Sequence, residues 1–284
     1  MIKTVHTGLE GIHSPFFYDI NSVPQANLDN RIIPVRAGKT VGGTSAINAM
    51  MTLRGMAADY DRWGSYFGSG SEWTWDGMLP YFKKAINFVP PDSEVAAAAR
   101  VGYDASYWGN TSKVYASWPS YQYPGTAEQM EAWEGMPGIE WPSDSGAGQT
   151  GVFWYPTYMD PELVERSYAR TGHLDSIQRP NYHLMTEAKV KRILFEGTTA
   201  TAASLTSKSG HNINVTASKE VILAAGTFHS PQILQLSGVG PTALLSAANI
   251  STVVDLPGVG QNFQDHADLG LAHYFCEKAW CRVS

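Results

Sequence analysis

Gly42-Gly43, set between Lys39-Thr40-Val41 and Thr44-Ser45-Ala46-Ile47-Asn48-Ala49-Met50-Met51, constrains this chain more than any other stretch. Adjacent glycines permit left-handed backbone and let main-chain N–H groups approach another molecule closely. Ala46 to Met51 can run as helix, with Thr44 or Ser45 as its cap and Asn48 one turn further on. The free N–H groups of a helix start suit an anion or a polarised ring edge. The residues alone equally allow a glycine-rich loop that caps an ordinary buried helix.

The rest of the chain limits the function classes. Hydrophobic residues make up 43% and charged residues 16% of 284, which argues for a packed core rather than disorder. Net charge is −6 and basic runs are lacking, so nucleic acid is not an expected partner. No apolar run reaches membrane-spanning length. Met1 to His6 has no apolar signal-peptide core, and Asn110, Asn214 and Asn249 begin glycosylation triplets, so localisation stays open. Cys276 and Cys281 are too few for a disulfide framework and lack metal-ligand company, so no metal is expected.

Along the chain, residues 1–35 carry the breakers Gly8, Gly11, Pro15, Pro24 and Pro34 and read as loop. Asp76 is the expected cap of a helix with Met78, Leu79, Phe82 and Ile86 on one apolar face. Residues 90–165 are rich in Pro, Gly, Ser, Tyr and Trp, with one helix expected near Thr126–Trp133. Gly146-Ala147-Gly148-Gln149-Thr150-Gly151 matches a dinucleotide fingerprint, but its flanks read as neither strand nor helix, which excludes it as a cofactor loop. Strands are expected at His183–Thr186, Lys189–Phe195, Ala202–Thr206 and Asn212–Thr216. This β-meander leads to a buried apolar strand, Val221–Ala225. Gly226 ends that strand, Ser230 and Pro231 start a helix, and Gly238 closes it. A short helix over Pro241–Asn249 and a strand at Val253–Asp255 follow.

Arg36–Gly55 closely resembles the first signature of the glucose–methanol–choline family of FAD-dependent oxidoreductases, and Gly226–Pro241 resembles the second. Asp59-Tyr60-Asp61-Arg62-Trp63, Trp73-Thr74-Trp75, Leu79–Lys84 and Leu256–His266 are similar to the family as well. The resemblance implies an α/β fold. It is a partial FAD-binding domain of the two-dinucleotide-binding type with a β-meander, plus part of a substrate-binding domain. By this resemblance residues 1–90 and 166–266 form two parts of the FAD-binding domain, 91–165 a substrate-facing segment, and 267–284 an atypical tail.

The family oxidises alcohols: a histidine base takes the hydroxyl proton while hydride passes to flavin N5. Carried over by motif, Gly42, Gly43, Thr44, Asn48, Ala49, Met50 and Met51 lie against FAD, and the backbone of Val190 meets the adenine. No catalytic residue is expected in this chain, because the family's histidine pair follows later than Ser284; His266 reads as structural. The family's opening glycine fingerprint has no counterpart before Arg36. The chain thus resembles the middle of a longer enzyme, and a non-catalytic remnant or interaction module is the alternative. Losing about 1,000 Å² of apolar burial removes on the order of 25 kcal/mol, so weak folding and weak FAD binding are expected.

Overall fold

The computed structural model describes residues 15–175, 177 and 179–265. Gly8, Gly11, His266, Cys276, Cys281 and the tail from 267 lie outside the described residues. Helix and strand are mixed throughout, as an α/β reading requires. Chain contacts divide it into two compact units, residues 1–180 and 181–284.

The first unit opens with an antiparallel hairpin where loop was expected. β1 (Phe17–Asn21) pairs with β2 (Pro34–Gly38), Phe17 opposite Gly38 and Asn21 opposite Pro34. Only Phe17 of β1 is buried, so the strand lacks the alternating apolar pattern that reveals strands, and the long connection 22–33 conceals the pairing. Phe17 packs with Ala46, Ile47 and Tyr168 in a small core.

Two helices follow, α1 (Ala57–Tyr66) and α2 (Trp75–Ala85). The cap of α2 is Thr74, whose Oγ1 accepts the Gly77 N–H at 3.2 Å; Asp76, the expected cap, falls in the first turn. There its charge still favours the positive end of the helix. Tyr60 of α1 holds the two helices together, with its ring 5.1 Å from Phe82 and 5.8 Å from Trp75.

β3 (Asn87–Phe88) pairs in parallel with β4 (Tyr115–Ala116). Between them lies α3 (Ser93–Ala99), a helix not expected from the sequence, capped by Asp92 through the Glu94 N–H. Phe88 and Trp108 stack at 4.9 Å within a second core that includes Ile86 and Ala116. The expected helix near 126–133 is α4 (Pro124–Glu134). The hairpin β5 (Met159–Asp160) and β6 (Glu165–Arg166) then leads into α5 (Ala169–His173).

The second unit is built on an antiparallel three-stranded sheet, β7 (Lys189–Glu196), β8 (Thr199–Thr206) and β9 (Asn212–Thr216), in the order of the sequence. This is the expected meander. His183–Thr186 does not join it and is exposed coil. α6 (Gly226–Leu236) packs on β7, and Ser237 Oγ accepts the Ile193 N–H at 2.8 Å. α6 starts four residues before the expected Ser230. Ser230 still satisfies an N–H there, by accepting from Ala225 at 3.1 Å. β10 (Val239–Gly240) and β11 (Val254–Asp255) pair in parallel around α7 (Thr242–Ala247).

Val221–Ala225 corrects the sequence reading outright. It is not a strand, and Ile222 is 79% exposed. A parallel strand needs ladder partners on its edges, and among the described residues no strand pairs with this one.

Candidate functional site

The site is built at the turn that follows β2. Gly42 and Gly43 both have positive φ, 99° and 55°, and the Gly43 N–H closes the turn on Thr40 O at 2.9 Å. Each glycine meets a different environment. A Cβ on Gly38 would sit 2.3 Å from Gly43 O, and one on Gly42 would sit 2.9 Å from the Tyr168 ring. Of these three, only Gly43 has nothing within 4 Å of that position, so its outer face is open.

Thr44 and Ser45 do not cap a regular helix. Residues Gly43–Ala46 form one 3-10 turn; Thr44 Oγ1 accepts the Gly38 N–H at 3.2 Å and ties the turn to β2. Ser45 Oγ donates to Gly42 O and accepts the Ala169 N–H at 3.2 Å, which ties it to α5.

The expected helix over Ala46–Met51 is likewise absent. Ala46 and Ile47 are buried, Ala49 is half-buried, and Met50 takes a left-handed φ of 65°. The chain leaves the turn because a neighbouring extended segment competes for its backbone. Tyr158 N–H donates to Met50 O at 2.8 Å, Thr52 N–H donates to Pro156 O at 3.0 Å, and Met51 bridges Thr157. Four main-chain groups are satisfied there that helix ends would otherwise leave open. Met50 is fully buried, so its side chain packs inside the protein, whereas Met51 is 47% exposed.

Asn48 lies where the turn meets this segment. Its Oδ1 accepts the Met50 N–H at 3.1 Å and Arg166 Nη1–H at 2.7 Å. Arg166 is 2% exposed and also donates to Ser45 O at 3.2 Å. Burial draws the Arg166 pKa down, opposed by the field of Tyr168. A guanidinium starts so high that it keeps its charge at neutral pH.

Asn48 and Ser45 line a cavity of about 420 Å³ inside the first unit, with Arg54, Tyr60, Phe82 and Tyr158 among its other walls. This volume falls within the range of small-molecule sites. Arg54 lies between the rings of Trp108 and Phe82, its guanidinium carbon 4.6 and 5.5 Å from their centroids. Its Nη1 donates to Gly146 O at 2.9 Å, while buried Nε and Nη2 have no acceptor among the described residues. Burial lowers the Arg54 pKa, and the Asp144 carboxylate is the largest influence opposing it. Asp144 is itself 3% exposed and accepts from Trp108 Nε1 and the Asp104 N–H, each at 2.8 Å, and from Gly146 N–H. Burial pushes the Tyr158 phenol up, with Arg54 acting against it.

The arrangement is therefore a largely apolar cavity with a few polar groups on its wall, beside a turn with one open glycine face. The residues fit an aromatic ring system with a polar edge, with Tyr60, Phe82 and Tyr158 on the walls and the Asn48 and Ser45 side chains beside them.

The sequence-predicted residues Gly42, Gly43, Thr44, Asn48, Ala49, Met50 and Met51 are thus gathered in one turn and the segment it enters. Val190 belongs to the second unit, in β7 opposite Leu205 and 38% exposed. The register slips between Val190 and Arg192, so Lys191 stands outside the ladder there. Sequence reasoning missed Arg166, 118 positions from Asn48, and Asp144, 36 and 40 positions from Trp108 and Asp104, which it accepts from. Arg54 stood in the quoted stretch without a role, and nothing distinguished it from a surface arginine. The flanks of Gly146–Gly151 are neither strand nor helix, in keeping with its exclusion as a cofactor loop.

Comparison with known proteins gives this geometry a lineage. A family profile described as GMC oxidoreductase matches residues 6–268. Dehydrogenase xptC of Emericella nidulans is 44% identical over 249 residues, which cover 87% of this chain and 40% of that protein. Patulin synthase of Penicillium expansum is 35% identical, covering 92% and 42%. Among solved structures, an FAD-dependent oxidoreductase from Chaetomium thermophilum superposes with a TM-score of 0.83 at 44% identity, covering 90% of this chain and 44% of that one. A fungal aryl-alcohol oxidase superposes at 0.82 and 35% identity, covering 88% and 43%. The chain spans about two fifths of the length of the curated relatives it matches.

Proposed function

This chain belongs to the GMC oxidoreductase family, and on that premise we propose that it holds FAD and serves the oxidation of an alcohol CH–OH group. When bound, FAD supplies the hydride acceptor. The chain's own part is to bind and orient. The open face at Gly43 admits the cofactor against the backbone, Thr44, Ala49 and Met51 flank it, and Asn48 faces it with its carboxamide. Arg54, between two aromatic rings, forms part of the cavity wall. The backbone of Val190, next to the register slip in β7, meets the adenine. In this reading residues 1–90 and 166–266 are the two cofactor-binding portions. Residues 91–165, with Tyr121 and Tyr123 exposed, face the substrate.

One observation carries the reading: Asn48, from the turn that the family signature marks, lines a cavity of about 420 Å³ with aromatic walls. An FAD-dependent oxidoreductase of known structure at 44% identity and a superposing aryl-alcohol oxidase support the chemistry. The test is to express the chain, record a flavin spectrum after desalting with FAD, and then offer a panel of primary aryl and alkyl alcohols. Retained flavin absorbance, bleached by an alcohol without oxygen, is expected if the chain is active. Retained absorbance that no alcohol bleaches confines its role to cofactor binding, and no retained flavin refutes the reading.

A second reading is favoured by Ile222, exposed in a segment without ladder partners among the described residues. There the chain alone holds FAD weakly and turns over no alcohol, acting as an interaction module. An FAD dissociation constant in the nanomolar range would exclude it.

A further inference from the structure

We infer that Arg166 is a positioning residue that fixes which end of the Asn48 carboxamide faces the cavity. An asparagine amide presents either an acceptor oxygen or an NH2 donor, and the two ends differ only in their hydrogen-bond partners. Here two donors, the Met50 N–H and Arg166 Nη1–H, converge on one end at 3.1 and 2.7 Å. Two donors at one end make that end the oxygen. The free end is then the NH2, and since Asn48 lines the cavity, the inference gives that end to the cavity. The Met50 bond is local and alone can be traded when the amide turns. The charged bond from Arg166 is about twice as strong as a neutral one.

Three features set Arg166 apart from an incidental contact. It is 2% exposed, so burying its charge must be offset by bonds of good geometry. It also donates to Ser45 O, so it grips the chain on both sides of Ile47. It comes from β6, a two-residue strand in a hairpin, whose next residue Ser167 accepts the Tyr115 N–H at 2.8 Å. The arginine is thereby held by the hairpin rather than by the turn that it orders.

The proposal rests on the reading of the cavity as the flavin site only for what the NH2 meets, not for which way it points. The test is a double-mutant cycle on the full chain with Arg166→Met, Asn48→Ala and the pair together. It is read by urea midpoint without FAD, and by flavin fluorescence and visible absorption with it. Each single variant is expected to weaken FAD about tenfold, and the double variant no more than the worse single. Arg166→Lys should recover part of the loss, and Arg166→Met should displace the flavin band as Asn48→Ala does. Effects that multiply, in affinity or in midpoint, overturn the inference.

Should Arg166→Met not fold, Asn48→Asp decides: it keeps oxygens for Arg166 but loses the donors. The same tenfold loss is expected, and wild-type affinity would overturn the inference. A wild-type chain that takes up no FAD refutes the proposed function. In that case the urea cycle still decides the positioning role, since additive midpoints overturn it and non-additive ones support it.

Discussion

Two glycine-rich stretches in the first unit use the same residue for opposite ends. Around Gly146–Gly151 the missing side chains are filled by the protein itself. A Cβ on Gly148 would lie 2.8 Å from the Trp75 ring, and one on Gly151 would lie 2.3 Å from Glu140 O. Around Gly42–Gly43 the space beyond Gly43 is left open, and a cavity of about 420 Å³ lies beside Asn48. The spacing of Gly146, Gly148 and Gly151 mimics a nucleotide loop, yet its glycines serve close internal packing. What a glycine-rich stretch can do depends on what stands opposite each absent Cβ, and a motif does not report that.

The comparison can be broken most severely at its packed side. Asp144→Ala removes the carboxylate that accepts three hydrogen bonds and offsets the charge of Arg54. A loss of about 3–5 kcal/mol in urea unfolding is expected, in line with stripping the partner from a buried charge. A loss below about 1 kcal/mol would mean that this stretch is not a structural pivot. Gly151→Ala comes next, because φ of 141° and a backbone oxygen in the way leave no room to relax. Its cost should be about 3 kcal/mol by thermal unfolding.

The open side predicts a smaller number. Gly43→Ala meets nothing within 4 Å and should lose only about 1 kcal/mol, the ordinary penalty of left-handed φ for a residue with a Cβ. A cost equal to that of Gly151→Ala would erase the contrast between the two stretches.

The subtlest effect is a pH profile. Burial raises the Tyr158 phenol above its unfolded value near 10, so the folded form holds that proton more tightly than the unfolded chain. The resulting stability is complete below about pH 10 and is lost as pH climbs through the folded value. Tyr158→Phe should therefore show a shallower alkaline decline than wild type; identical slopes above pH 10 would contradict it.

Patterns that repeat locally were readable in advance, whereas structure imposed from afar was not. The meander announced itself because Gly197-Thr198-Thr199 and Ser209-Gly210 punctuate Lys189–Phe195, Ala202–Thr206 and Asn212–Thr216 with turn signals. α4 likewise carries Pro124 at its start. Ala46–Met51 has good helix formers, yet Tyr158 and Pro156 take its backbone into an extended pairing, so tertiary bonds override propensity. Val221–Ala225 has the composition of a buried strand but not the neighbours, and burial is decided by neighbours. At the site, Gly42 through Met51 could be nominated from their wording alone. Arg166 could not, because its role exists only once β6 is folded beside Asn48.

That last bond has a consequence for biosynthesis. The partners are separated by 118 positions, so an emerging polypeptide carries Asn48 for a long interval before Arg166 is translated. At about 5–20 residues per second the wait is roughly 6–24 s. Throughout it the amide is free to rotate, and any cofactor present at the ribosome encounters a turn whose final orientation has yet to be set.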